Sequence, residues 1–217
     1  MNKAIDFLRR NYHPKQPFTI RDGENGMKVI TGKPIVFNQR ADLGYFEEII
    51  ERGALNATDL TDVRFLVNHH TSKIPLARSR KNTANSTMQL MVEEDGLKIR
   101  VNLDVENNPE ARSLISAVER EDITGMSFMF SIDDEEWENL DSDYPTRHIK
   151  SISRVIEVSA VTFPAYEGTS ISARNKEALD NAKRAVETAR KFSVDTEERA
   201  LELEKIKNEN LIRLGGI

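Results

Sequence analysis

Ser127 stands in the run Gly125-Met126-Ser127-Phe128, flanked by apolar residues in a segment patterned as a strand. An isolated serine there most often fills a small core position. Its hydroxyl becomes a useful nucleophile only when a base removes its proton and a third group orients that base. Histidine is the side chain suited to that task near neutral pH, and the chain has four: His13, His69, His70 and His148. His13 lies in a polar leader beside Pro14 and reads as a surface residue. His69 and His70 follow the apolar run Val63 to Val67, and the end of a strand is where side chains leave a core and meet solvent or substrate. Taken singly, a histidine in such a place more often satisfies a backbone carbonyl in a turn. The third group of interest is Glu157, in Val155-Ile156-Glu157-Val158-Ser159. An unpaired carboxylate inside a sheet is costly, so Glu157 either faces solvent or accepts a hydrogen bond from an imidazole. The alternation starting at Val155 leaves both open. Triad members meet in space and recur in unrelated chain orders, so spacing alone makes Ser127 with His69 one pairing among many.

A metal reading uses some of the same residues. His69, His70 and an acid would make a two-histidine, one-carboxylate site. Adjacent residues on an extended strand point to opposite faces, so both histidines could ligate only at a bend. The sequence has no H-E-x-x-H helix, no D-x-D-x-D-G calcium loop, no G-x-S-x-G elbow and no P-loop. It contains no cysteine, which excludes disulfides, thiolate zinc sites and a cysteine nucleophile.

The elements that must position these residues are mostly strands. From Pro17 to Phe37, β-branched and aromatic residues are split by Gly23, Gly26, Gly32 and Pro34, which reads as strands and turns. Tyr45 to Glu51 is a short helix candidate stopped by Gly53. Val63 to Val67 is a strand. Thr87 to Val92 and Leu97 to Leu103 alternate on either side of Glu93 to Gly96 and predict a hairpin. Asn108-Pro109-Glu110 is a helix start, with an amide cap, a proline in the first turn and an early acid. Ala111, Leu114, Ile115 and Val118 then form one apolar face. Ile123 to Ile132 reads as a strand, Asp133 to Asp143 as an acidic loop, and His148 to Thr162 as a long β-branched strand. The expected fold class is α+β, with a closed or nearly closed, mostly antiparallel β-barrel and helices outside it.

The expected organisation is a flexible leader at 1–16, a domain at 17–174 and a helical or partly disordered tail at 175–217. The tail holds no proline. It carries Ala178, Leu179, Ala182, Ala185, Val186 and Ala189 at helical spacing, and a second helix is expected from a capping box near Asp195. So thin an Ala-rich stripe buries little by itself and needs a partner. The 217 residues allow one domain with a core plus such appendages. A net charge of −5 argues against nucleic acid as the main partner, because phosphate binding wants a concentrated excess of Lys and Arg. The first residues, MNKAIDFLRRNYHPKQPF, have no apolar run long enough for a signal peptide, and no later run is long enough to span a bilayer. No membrane partner is expected, and the protein is expected to stay in the cell that makes it.

Several segments in order resemble the prohead serine proteases of tailed phages, which are similar in fold to the herpesvirus assemblins. Gly32 to Asn38 (GKPIVFN), Asp42-Leu43-Gly44 and Glu51-Arg52-Gly53-Ala54-Leu55 resemble the family's opening strand and its E-x-G-A turn. Phe65-Leu66-Val67-Asn68-His69 resembles the strand that ends at the catalytic histidine, Leu76-Ala77-Arg78 an L-G-R element, and Asp95-Gly96-Leu97 the D-G-L of a hairpin. Ile123 to Phe130 (ITGMSFMF) resembles the nucleophile strand, and Ile156 to Ala165 (IEVSAVTFPA) its E-V-S-x-V-T-x-P-A ending. The likeness spans roughly residues 28–173. His70 stands where the family usually has Asp, while Met129 and Ala77 stand where it often has Gly.

The resemblance implies an assemblin-like fold and a serine endopeptidase with Ser127 as nucleophile, His69 as base and Glu157 as third member. The assemblins use a second histidine in that third place, which keeps His148 and His70 as alternatives. It implies no cofactor and no metal. The implied substrates are the scaffolding segment of the major capsid protein and the protease itself by autocleavage. The implied setting is the assembling prohead in the bacterial host cytoplasm, and a homo-oligomer is compatible with it. The rival from another class is a non-catalytic capsid assembly or scaffolding protein with the same barrel.

Overall fold

A computed structural model of the chain describes residues 8–12, as backbone, together with 18–162 and 176–188. Eleven strands and one helix make up the first unit, Met1–Asn175, among the described residues. In chain order the first strands are β1 (Leu8–Tyr12), β2 (Phe18–Asp22), β3 (Lys28–Val36), β4 (Arg40–Asp42) and β5 (Glu47–Ile50). Then follow β6 (Arg64–Val67), β7 (Ala77–Arg78), β8 (Met88–Glu93), β9 (Gly96–Leu103), α1 (Pro109–Glu119), β10 (Gly125–Glu138) and β11 (Thr146–Val161). The second unit, Lys176–Ile217, opens with helix α2 over 176–188. The second tail helix expected near Asp195 lies outside the described residues, as does His13.

The strands form two sheets. One is four-stranded in the order β2-β3-β9-β8, all antiparallel. The other is seven-stranded, with the path β1-β10-β11-β5-β4, and with β6 on β11 and β7 on β6. Between them lies one core. Ile30, Leu97 and Ile99 come from the small sheet, Met126, Phe128, Phe130, Val155 and Val158 from the large one, and Ala111, Leu114 and Ile115 from α1. That helix begins as its sequence dictates, with the Asn108 side chain accepting from the backbone N–H groups of Glu110 and Ala111.

The α+β class holds, but the described strands do not close into a barrel. No ladder joins the small sheet to the large one. The edge of β11 is taken instead by two short parallel strands set end to end, β5 on Thr146–Ile149 and β6 on Glu157–Ala160. Three local expectations also change. Tyr45 to Glu51 is not a helix, because Glu47–Ile50 is held between β4 and β11. The buried Glu48 there pairs with the equally buried Arg147, and pairing across the sheet outweighs a helical preference only seven residues long. The acidic run from Asp133 is largely strand, since β10 continues to Glu138 opposite β11. Its Trp137 packs edge-on against Phe46, 4.9 Å between ring centroids, under the Arg147 guanidinium. Within the leader read as flexible, Leu8–Tyr12 forms β1, antiparallel to β10.

Among the described residues no helix is long and apolar enough to cross a membrane.

Candidate active site

Ser127 and Glu157 owe their placement to the long β10–β11 ladder. Ser127 lies opposite Ser159, and Met129 opposite Glu157. Residues directly opposite in an antiparallel pair share a face, with Cα atoms about 5 Å apart. Their alternating neighbours Met126, Phe128, Val158 and Ala160 belong to the core cluster, so Ser127, Met129, Glu157 and Ser159 take the opposite face of the sheet. Ser127 has no exposed surface, but it sits on the sheet face that turns away from the core.

A break in register puts Glu157 on that same face. Phe130 pairs with Val155 and Met129 with Glu157, so Ile156 is an extra residue on β11. Strict alternation from Val155, which is in the core, would turn Glu157 inward as well. The bulge resets the phase and aligns Glu157 with Ser159 instead.

His69 arrives from the other side of β11. β6 runs parallel to β11 with Leu66 opposite Ser159 and Val67 opposite Ala160. The chain then passes through two successive residues with positive φ, Asn68 at 49° and His69 at 58°, a region that Asn and His visit more readily than most residues. Asn68 holds the turn by donating from its side chain to Thr162 Oγ1 at 3.0 Å and accepting from the Thr162 backbone N–H at 2.8 Å. The imidazole is thereby laid against Glu157, with Nδ1 bonded to Oε1. Its side chain keeps 13% of its surface exposed, while Glu157 keeps 1%. The other carboxylate oxygen of Glu157 accepts from the Ser159 hydroxyl at 2.5 Å, and the same hydroxyl oxygen accepts from the His69 backbone N–H at 3.3 Å. Both oxygens of a buried carboxylate therefore have partners, which offsets the cost of burying it.

A neutral imidazole that donates from Nδ1 to this carboxylate leaves the lone pair on Nε2. That is the tautomer a general base needs. Ser127 is one strand from Ser159, on the face over which His69 is folded. The structure thus brings together an imidazole bonded to a buried carboxylate and, on the adjoining strand, a hydroxyl, the groups that acyl transfer would require.

The other histidines lie elsewhere. His148 bonds Glu51 through Nδ1 at 3.0 Å and Glu138 through Nε2 at 3.3 Å, beside a Lys150 that also binds Glu51 at 2.8 Å. The Lys150 ammonium holds the Glu51 carboxyl below the usual carboxylate range, and His148 adds to the effect. Nine residues of extended β11 separate His148 from Glu157, roughly 30 Å at strand spacing. His70 is exposed. Among the described residues no group of three or more His, Asp or Glu side chains is arranged to hold a metal ion.

Sequence reasoning did not single out Ser159 or Asn68. The available signal was a small polar residue two places after Glu157 in a β-branched strand, and an amide immediately before a histidine at a strand end. Ser159→Ala removes the hydroxyl bonded to Glu157 and also the acceptor for the His69 backbone. If the arrangement is catalytic, kcat is expected to fall about 10- to 100-fold, the scale of losing a hydrogen bond to a buried charge, with KM little changed. Peptide-cleavage kinetics on the folded variant check this.

Residues 16–184 match the family described as caudovirus prohead serine protease. The match extends past Arg174, into α2. Among solved structures, the bacteriophage T4 capsid assembly protease is similar at 13% sequence identity and a TM-score of 0.44, covering 73% of this chain and 98% of that one. No curated protein matches the chain.

Proposed function

We propose, on the premise that this chain belongs to the caudovirus prohead serine protease family, that it is a serine endopeptidase using Ser127, His69 and Glu157. Its substrates are the scaffolding segment of the major capsid protein and, by autocleavage, its own chain, acted on inside the assembling prohead. The observation that carries the reading is the buried Glu157 bonded to His69 Nδ1, on the same sheet face as Ser127.

The chemistry follows from that arrangement. His69 Nε2 takes the proton from Ser127 Oγ as the oxygen attacks the peptide carbonyl carbon. The tetrahedral intermediate collapses, the C–N bond breaks, and the imidazolium returns its proton to the leaving amine. A water then gives its proton to His69 and attacks the acyl-enzyme, releasing the carboxylate product and restoring Ser127. Glu157 fixes the tautomer and stabilises the imidazolium. Ser159 and Asn68 hold Glu157 and the His69 backbone in place.

The experiment is co-expression with the cognate major capsid protein. A protease yields a shortened capsid protein that disappears with Ser127→Ala, whereas a protein that only organises subunits leaves the capsid protein full length. The division at Arg174 belongs to the proposal too, with the tail as a segment that docks on a scaffolding helix and is not needed for bond cleavage.

A further inference from the structure

β10 has two neighbours. β11 lies on the side from which His69 folds over, and β1 lies on the other. The β1 ladder runs through the nucleophile position, with Arg10 opposite Phe128, Asn11 opposite Ser127 and Tyr12 opposite Met126. Ser127 meanwhile has no surface open to solvent. With the base on the β11 side, the β1 side is the one left for presenting a carbonyl to Ser127, and Leu8–Tyr12 lies there. This strand precedes residue 16, where the family match begins.

We propose that the β1 edge of β10 is the binding edge for the substrate, taken as an extended peptide whose main chain ladders antiparallel to β10, and that Leu8–Tyr12 occupies this edge as an internal competitor. The inference rests on the protease reading. An exposed strand edge offers a row of free N–H and C=O groups that any extended chain can use. The main-chain bonds that hold β1 are therefore those that a substrate would make. The partner this fits is an unfolded or linker segment, since a helix or a folded surface cannot form the ladder. Substrate binding and β1 binding exclude one another, so the chain as it stands is a resting form, relieved when the leader is displaced or removed.

The test uses the full-length chain and a fluorophosphonate probe, which forms an Oγ–P bond at an activated serine with loss of fluoride. In an antiparallel pair successive residues alternate in bonding to a given neighbour, so Arg10→Pro with Asn11→Pro removes a β1 donor whichever phase applies. Ser127 labelling, read by mass spectrometry, is expected to quicken roughly tenfold or more, the effect of losing one or two ladder hydrogen bonds. A synthetic peptide spanning residues 6–14 should slow it again. Labelling at the original rate, with hydrogen exchange showing the β10 amides newly exposed, overturns the inference.

A second variant keeps the question open to refutation if the prolines prevent folding. Arg9 and Met129 are opposite one another, and the chain has no cysteine of its own. Arg9→Cys with Met129→Cys can therefore form a single cross-strand disulfide. The oxidised protein should resist labelling and the reduced protein should label. Equal rates in the two states refute the competitor role. Failure of Ser127 to label in every variant, with capsid protein left uncleaved, instead overturns the protease reading and the inference with it.

Discussion

Ser127→Ala is expected to abolish capsid-protein processing while the protein stays folded, and His69→Ala is expected to match it. Alanine fills nearly the space of serine, and position 127, near the start of β10 and flanked by Asn11 and Ser159, has strand backbone that alanine also adopts. The chemical loss is large because nucleophile and base act as a unit. Without the imidazole the hydroxyl keeps its proton, and without the hydroxyl the imidazole has nothing to activate. Each single change should therefore cost on the order of 10⁶-fold in kcat, and the double variant hardly more. His70→Ala serves as the control, since His70 is exposed and outside the His69–Glu157 contact. Single-turnover cleavage of purified capsid protein measures all four. Normal processing by a folded Ser127→Ala protein ends the serine-protease reading, and a dead His70→Ala with an active His69→Ala shows that the base is the other histidine.

The residues proposed for the site are legible in the sequence one at a time but not as a set. Ser127, His69 and Glu157 each sit in a strand-like run, and a strand's pattern reports a face, not a neighbour. For Glu157 even the face was undetermined. Its orientation depends on the extra residue Ile156, and a bulge arises from pairing with a partner strand, so it leaves no mark in alternation. His69 is similar, because its direction comes from two left-handed residues fixed by a contact between Asn68 and Thr162, 94 positions away in the chain.

The elements divide in the same way. The hairpin of β8 and β9 and the start of α1 are specified by residues close together, and both lie where periodicity and capping place them. The expected barrel and the expected helix at Tyr45 to Glu51 do not form, because there the outcome depends on distant pairing. Nothing within the run YFEEIIE indicates that it will lie parallel to Thr146–Ile149 with Glu48 against Arg147. Local chemistry therefore sets most of the elements, and long-range ladders set which sheet they join.

Glu157→Gln tests which third member the site uses. Glu157 has both oxygens engaged, Oε1 by His69 Nδ1 and Oε2 by the Ser159 hydroxyl. An amide has one accepting oxygen and one donating nitrogen. If its oxygen faces His69, the useful tautomer survives but the imidazolium loses its counter-charge. If its nitrogen faces His69, Nδ1 must accept, the ring proton moves to Nε2, and the base cannot take the Ser127 proton. Ser159 can rotate to accept from the amide, so the first orientation remains open and activity should fall without vanishing. The expected loss is about 10²- to 10⁴-fold in kcat, its upper end being the cost of the wrong tautomer in a serine triad. The melting temperature should move little, because shape is kept and a buried charge is removed. His148→Ala, which disturbs only the Glu51–Glu138–Lys150 cluster, should leave kcat within about twofold, as expected of a residue some 30 Å away along the strand. A silent Glu157→Gln together with a dead His148→Ala would reverse the assignment, because a distant histidine could matter only if the protein rearranged to bring it to Ser127 in a Ser-His-His arrangement.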